Sequence, residues 1–141
     1  MYAQDTDDVA EYVRCFGSAT GEPAQVVITS RCSHCASTTF SMECSEEDGV
    51  AMRTCTGCRL QAYIGDSADL WDKADTGPAT CPCGASTFEV AVGFCVADPS
   101  DDASEVDWIV VGAWCTTCRL VGVYADWGID HVPSSHLRER T

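Results

Sequence analysis

At residues 32–35 the chain reads Cys-Ser-His-Cys, and at residues 55–58 it reads Cys-Thr-Gly-Cys. Residues 36–54 separate the two pairs, a suitable length for a β-hairpin that leaves one pair and returns to the other. Two cysteines separated by two residues can present both thiols from one tight turn, so two such turns facing each other bring four thiols together. This stretch predicts a four-cysteine centre at the end of a two-stranded hairpin.

The same arrangement is repeated later in the chain. The segment at 83–88, Cys-Gly-Ala-Ser-Thr-Phe, matches Cys-Ala-Ser-Thr-Thr-Phe at 35–40. The segment at 115–120, Cys-Thr-Thr-Cys-Arg-Leu, matches Cys-Thr-Gly-Cys-Arg-Leu at 55–60. The additional residues of the second copy fall at its predicted hairpin tip, where a longer loop is tolerated. The repeat predicts two hairpins of the same kind, each with its own four-cysteine centre.

The chain has 141 residues and eleven cysteines, a density typical of either a disulfide scaffold or metal sites. The first eight residues are acidic and lack the basic start and apolar run of a secretory signal, so we expect a cytoplasmic protein with reduced thiols. Four thiolates form a tetrahedral ligand set for zinc, and the predicted cofactors are two Zn²⁺ ions, with iron as the alternative. The predicted metal ligands are Cys32, Cys35, Cys55, Cys58, Cys81, Cys83, Cys115 and Cys118.

Some cysteines and histidines need a separate interpretation. The pair Cys81-Pro-Cys83 has one intervening residue, so either both thiols bind from a tighter turn or Cys81 is replaced by another donor. His34 lies inside the first pair, but its neighbours already supply sulfur, and we interpret it as a surface residue. The cysteines outside the repeat are interpreted as small buried apolar residues: Cys15, Cys44 and Cys95.

The paired cysteine turns at 32–64 and 81–125 resemble the zinc-ribbon family, in which two such turns at the ends of a small antiparallel sheet hold one structural zinc. Members of that family often place glycine after the second cysteine of a turn, where a positive φ is wanted. Gly84 fits this pattern, whereas the other three turns have Ala36, Arg59 and Arg119 there. A weaker resemblance, over residues 55–89, is to rubredoxins, which hold iron in a similar cage and transfer electrons. The rubredoxin-like arrangement would place the middle four of the eight cysteines in one site. The repeat instead groups the four cysteines of each copy, so it argues against that arrangement.

The predicted fold class is small, metal-stabilised and mainly β, with two tandem zinc-ribbon-like antiparallel sheets and short N-terminal and linker helices. Apolar residues at helical spacing predict the first helix over 5–16, ending at Gly17, and residues 67–73 predict a helical turn before a break at Gly77-Pro78. The predicted division of the chain is an N-terminal helix and loop (1–24), a first ribbon (25–66), a linker (67–80), a second ribbon (81–127) and a polar tail (128–141).

The charge balance is strongly acidic, with 22 Asp and Glu against 8 Lys and Arg, for a formal charge of −14. Such a surface repels phosphate backbones and attracts cationic surfaces, so the expected partner is a basic protein and nucleic acid is not expected. Adaptation to a salty host would explain the acidity equally well. No apolar run approaches the roughly 20 residues needed to cross a bilayer, so no membrane association is expected. The candidate partner-binding residues lie at the two hairpin tips: Glu46, Glu47, Asp48, Asp98, Asp101 and Asp102.

Four thiolates saturate a zinc ion and leave no position for water or substrate, so no catalytic residues are predicted and the chain is not expected to be an enzyme. The leading interpretation is a zinc-binding protein-interaction module with an acidic surface, acting as an adaptor or as an inhibitor or immunity-type binder of a basic partner. One alternative is a rubredoxin-like iron protein for electron transfer. A third resemblance, to transcript-cleavage factors that act on RNA polymerase through acidic residues at the tip of a ribbon hairpin, gives the other alternative, in which the tip at 46–48 acts in this way.

Overall fold

A computed structural model describes residues 6–19, 24, 26–45, 47–96, 105–129 and 134–141. In chain order its elements are α1 (Thr6–Ala19), β1 (Val26–Thr29), β2 (Phe40–Ser45), β3 (Val50–Cys55), β4 (Gln61–Tyr63), α2 (Ser67–Leu70), a 3-10 turn (Trp71–Lys73), β5 (Gly77–Pro78), β6 (Phe88–Val96), β7 (Val106–Cys115), β8 (Val121–Gly128) and a second 3-10 turn (Ser135–Glu139). The predicted mainly β, antiparallel fold class with two short helices is confirmed.

The strands form a sheet in the order β4-β3-β2-β6-β7-β8, in which β1 also pairs with β6 and β5 with β2. The two predicted hairpins are β2–β3 and β6–β7, and they have the same register. Phe40 lies opposite Cys55 in the first hairpin, and Phe88 lies opposite Cys115 in the second. The hairpins meet through the pairing of Phe40 with Phe88, so the two ribbons share one sheet.

The core is built from both copies. Phe40, Phe88, Phe94 and Ile109 are fully buried in one apolar cluster, which also contains a cysteine pair from each copy. The sheet curls so that β8 contacts β2 and β3. Trp127 of β8 packs against the β2–β3 turn, and its indole N–H donates to a carboxylate oxygen of Asp66, 3.0 Å away. The two copies therefore fold against each other.

Helix α1 covers the face of the sheet formed by β6 and β7. Val9 and Val13 are fully buried there, and a Cβ on Gly112 would lie 2.2 Å from Cγ2 of Val13. The glycine therefore allows the close approach of the helix to the sheet. The predicted end of this helix at Gly17 is wrong, because α1 continues to Ala19. A glycine inside a helix costs only about 1 kcal/mol relative to alanine, which the packing of α1 offsets.

The linker and the tail are tied to the sheet. The predicted break at Gly77-Pro78 forms β5, in which Gly77 pairs with Cys44. In the tail Leu137 is buried, and the carbonyl of Arg140 accepts from the N–H of Gly65 at 2.8 Å. The domain boundaries given above stay a prediction. No helix in the described ranges is long and apolar enough to cross a membrane.

Candidate metal centres

The structure brings the eight predicted cysteines together in two groups of four, and within each group the sulfur atoms lie within 4.8 Å of one another. The Sγ–Sγ distances are 3.5 Å for Cys32 with Cys58 and 3.4 Å for Cys35 with Cys55. In the second group they are 3.4 Å for Cys81 with Cys118 and 3.6 Å for Cys83 with Cys115. A disulfide would be about 2.05 Å long, whereas a tetrahedron with Zn–S bonds of about 2.3 Å has edges of about 3.8 Å. Each group could therefore hold a metal ion.

Each group is formed where the two ends of a hairpin meet. The turns at 32–35 and 81–83 precede β2 and β6, and the turns at 55–58 and 115–118 follow β3 and β7. Because each hairpin pairs its first residue with the cysteine that ends its second strand, the two turns of a copy face each other. The grouping follows the repeat, and the middle four cysteines of the rubredoxin-like interpretation do not come together.

All four turns share one backbone pattern. The N–H of Cys32 donates to the carbonyl of Ser37 at 2.8 Å, and the carbonyl of Cys32 accepts from Ala36 at 2.9 Å. The turns beginning at Cys55 and Cys115 repeat both bonds at the same spacing. The turn beginning at Cys81 makes the same pair of bonds one residue earlier, which keeps its thiol within the group.

The residue after the second cysteine has a positive φ in all four turns, including the three that lack glycine. The values are +63° for Ala36, +67° for both Arg59 and Arg119, and +93° for Gly84. A non-glycine residue in this region costs on the order of 1–2 kcal/mol. The departure from the glycine pattern therefore does not change the turn geometry but places backbone strain beside the thiols.

Backbone N–H groups point at the sulfur atoms and stabilise the thiolate form of some of them. The N–H of Cys58 donates to Cys55 and lowers the pKa of Cys55 to about 6. Burial raises the pKa of Cys115, but the N–H groups of Cys118 and Thr117 outweigh it and lower that pKa to about 6. Hydrogen bonds of this kind orient a thiolate that binds a metal ion.

Cys58 and Cys81, by contrast, resist ionisation. The N–H of Leu60 lowers the pKa of Cys58, but burial and the neighbouring thiols of the group outweigh it and raise that pKa to about 12. The pKa of Cys81 is likewise raised to about 12 by burial and its neighbouring thiols, against the N–H of Cys83. The donor set of each group therefore suits a divalent cation, because a cation allows all four thiolates to form.

The other predicted residues lie outside these groups. His34 is exposed, Cys95 is buried beneath α1, and Cys44 is half-buried. The side chain of Cys15 and the residues Glu46, Asp98, Asp101 and Asp102 lie outside the described residues. Glu47 and Asp48 are exposed at the β2–β3 turn, where the carboxylate of Asp48 accepts from the hydroxyl of Ser45 at 3.2 Å and from the N–H of Asp75 at 2.9 Å.

The sequence analysis missed Arg53, which is buried next to the first group. Burial lowers the pKa of its guanidinium, and the negative charge on Cys32 and Cys55 opposes this effect without cancelling it. The signal was available in the sequence, because a residue two positions before Cys55 on the same strand lies on the same face of the sheet.

Alanine substitution of a glycine tests whether the positive φ after the second cysteine of a turn costs stability. Gly84→Ala is expected to lower the free energy of unfolding by about 1–2 kcal/mol, since its φ is positive and the added Cβ meets nothing within 4 Å. Gly77→Ala is the matched control, because its Cβ also meets nothing within 4 Å and its φ lies outside the positive region. It should leave stability unchanged or raise it by up to about 1 kcal/mol. Denaturant unfolding in the presence of metal measures both, and equal effects would contradict the explanation.

Metal uptake is expected to strengthen as the pH rises. The pKa is raised for Cys35 and Cys58 in the first group and for Cys81 and Cys83 in the second, so these thiols are protonated at neutral pH. Each bound ion must displace at least two protons, and the apparent affinity should rise about a hundredfold per unit between roughly pH 7 and 8. Competition with a chelator of known protonation measures this slope. An affinity that stays constant with pH would exclude thiol coordination.

Comparisons with protein families, curated proteins and solved structures give no match for this chain. Its function is therefore inferred from the two cysteine groups and the surface around them.

Proposed function

We propose that the chain is a non-catalytic scaffold held by two zinc ions, and that its acidic surface binds a basic protein partner. The observation that carries the proposal is the pair of four-cysteine groups, each complete within one copy of the repeat. Four protein thiolates fill the coordination sphere of zinc and leave no position for a substrate, which is the arrangement of structural sites. Zinc would then stabilise the fold, and the surface would perform the function.

The location of the groups supports a structural role for the metal. Cys32, Cys55, Cys81 and Cys115 belong to the same apolar cluster as the phenylalanines that join the hairpins. Binding a metal to these residues therefore fixes both ends of each hairpin against the shared core. Because metal affinity becomes folding free energy in such sites, we expect the metal-free chain to lose most of its ordered structure.

Metal analysis of the purified chain tests this role. We expect about two zinc ions per chain by elemental mass spectrometry, and about one after Cys55→Ser or Cys115→Ser, since each substitution removes one donor from one group. Cys44→Ser is the matched control and should retain two, because Cys44 belongs to neither group. Removal of zinc by a chelator should abolish the β-sheet circular dichroism. A metal-free chain that unfolds cooperatively would refute the proposal.

Iron-based electron transfer is the second candidate. It is favoured by one observation, which is that Cys35 and Cys83 are exposed, so each cage reaches the protein surface as electron transfer requires. Ferric iron bound by four thiolates absorbs visible light, whereas zinc is silent. If the purified protein is coloured, contains about two iron ions per chain and is reduced reversibly, iron rather than zinc occupies the two groups.

The proposed partner-binding surface is the linker face, defined here by Tyr63, Asp69, Leu70, Trp71 and Asp72. Tyr63 and Leu70 are among the few exposed large apolar residues in the described part of the chain, and the rings of Tyr63 and Trp71 make an edge contact at 5.4 Å. Asp69 and Asp72 are exposed on the same short helical segment. Apolar and aromatic residues beside carboxylates suit a partner with basic side chains.

A cavity beside the linker face adds to this argument. Its volume is about 420 Å³, and it is lined by three carboxylates, those of Asp48, Asp66 and Asp69, together with Leu70 and Trp127. The side chains present negative charge around an apolar wall, which matches the long, partly apolar side chains of lysine and arginine. The overall charge of −14 would also attract a basic partner before contact.

Affinity capture from a lysate, with identification of the captured protein, tests the partner role. We expect a basic protein to be captured at low salt and lost as salt rises, because exposed charges are screened over about 8–10 Å at physiological ionic strength. The double substitution Asp69→Asn with Asp72→Asn should reduce capture severalfold. Asp107→Asn, at an exposed position on β7, is the control and should not. Capture that is unchanged by the double substitution would refute this choice of surface.

A further inference from the structure

Strand β4 forms one edge of the sheet, next to the linker face. It stands at the end of the strand order and, in the described part of the chain, pairs on one side only, with β3. Its residues Gln61 and Tyr63 are exposed, and so is Leu60, which precedes the strand. At the opposite end of the order, none of residues 121–127 of β8 is exposed. Of the two ends of the sheet, the edge at β4 is therefore the more accessible.

The register shows which main-chain groups this edge offers. The N–H of Ile64 donates to the carbonyl of Ala51 on β3 at 3.0 Å. Bonds between two antiparallel strands come from alternate residues of each strand, so Ala62 also bonds towards β3. The N–H and carbonyl groups of Gln61 and Tyr63 therefore point away from β3. The edge offers two donors and two acceptors, and no residue of the described ranges pairs with them.

Strand β4 lacks most of the features by which sheet edges avoid pairing with other chains. Protected edges carry charged residues, proline or a bulge. The sequence of β4, Gln-Ala-Tyr, has neither charge nor proline, and its register with β3 is regular. Its one protective feature is its length of three residues. Two residues beyond Tyr63, the N–H of Gly65 donates to the carbonyl of Arg140 in the tail at 2.8 Å. The open edge therefore suits a short segment.

The surroundings of the edge indicate what kind of segment would pair with it. The ring of Tyr63 contacts the ring of Trp71, so the 3-10 turn of the linker lies on the face of the sheet to which Tyr63 points. Asp69 and Asp72 are exposed on this part of the linker, against one cation, Lys73. An added strand presents every second side chain to that face. The two carboxylates therefore favour basic residues at alternate positions of the segment.

We propose that the basic partner adds an extended segment to β4 as a further strand, bonded to the main chain of Gln61 and Tyr63, with basic side chains over the linker face. This inference rests on the proposed function, because it states how the partner binds that face. Main-chain bonds supply affinity in such complexes, and the side chains supply selectivity. A second copy is a poor occupant, since two chains of charge −14 repel each other.

The probe is a synthetic peptide with alternating basic and apolar residues, acetyl-Thr-Lys-Val-Lys-Val-Lys-Thr-amide, added to the full chain at low salt. Amide hydrogen exchange followed by NMR should slow about tenfold at Gln61 and Tyr63 when the peptide saturates the chain. The control amide is that of Val123 on β8, which also points away from its neighbouring strand and should exchange as before. Slowing at Val123 without slowing on β4 would overturn the inference.

Two modified peptides separate strand addition from attraction by charge alone. One carries a methyl group on the backbone nitrogen of each lysine, and the other carries it on the backbone nitrogen of each valine, so the charge of both is unchanged. A strand bonds its neighbour through the N–H groups of alternate residues, so only one of the two modifications should abolish binding. Equal affinities for the two peptides would overturn the inference. If both still bind and the binding depends on Asp69 and Asp72, the linker face of the proposed function stands.

Substitution of Gln61 tests the edge from the side of the chain. Gln61→Pro removes an outward N–H at a position where an edge strand tolerates proline, and it should weaken peptide binding at least about tenfold. Gln61→Ala is the matched control, because it keeps the N–H, and its affinity should stay within about twofold. If circular dichroism shows that Gln61→Pro does not fold, the two methylated peptides decide the question.

The state of association tests the choice of occupant. We expect the chain without peptide to sediment as a monomer at low salt. A dimer that Gln61→Pro abolishes would assign the edge of β4 to a second copy and overturn the inference. Peptide binding that is unaffected by the double substitution Asp69→Asn with Asp72→Asn would instead refute the linker face, and with it the proposed partner surface.

Discussion

Four thiols within 4.8 Å of one another can all ionise only when a cation lies among them. The chain contains two such groups, and the hairpins are built to hold them. In each copy the register places a phenylalanine opposite the cysteine that ends the second strand, so the two cysteine turns face each other. The positive φ of Ala36, Arg59 and Arg119 stores strain in these turns, and the binding of a metal ion by the four thiols would be strong enough to offset it.

The duplication produces one folding unit. The hairpins are joined through Phe40 and Phe88, the residues that end the repeated cysteine blocks, and four of the eight cysteines lie in the core they share. Trp127 of the second copy packs on the turn of the first, and its indole N–H donates to Asp66 at the end of the first ribbon. The two groups are therefore built on one common core.

The cysteine spacing and the repeat predicted the antiparallel hairpins and the residues that come together, because chelating turns are local and hairpins pair neighbouring segments. The pairing of Phe40 with Phe88 is a long-range contact and has no local signal. The tail was predicted only as polar, yet Leu137 is buried and Arg140 bonds to Gly65. Strand β5 pairs with β2 through the backbone of Gly77-Pro78. Glycine and proline are typical of turns, so the sequence did not predict a strand there.

The two kinds of charge in this chain act over different ranges. The many exposed carboxylates set the field that a partner meets, but solvent and salt screen their effect on any one sulfur atom. Arg53 is buried, so its field reaches the first group through protein rather than water and is screened far less. The net charge therefore bears on what the surface binds, whereas Arg53 bears only on the interior around the first group. Arg53 also bonds to the main-chain oxygen of Thr141, which places the last residue of the tail next to the same group.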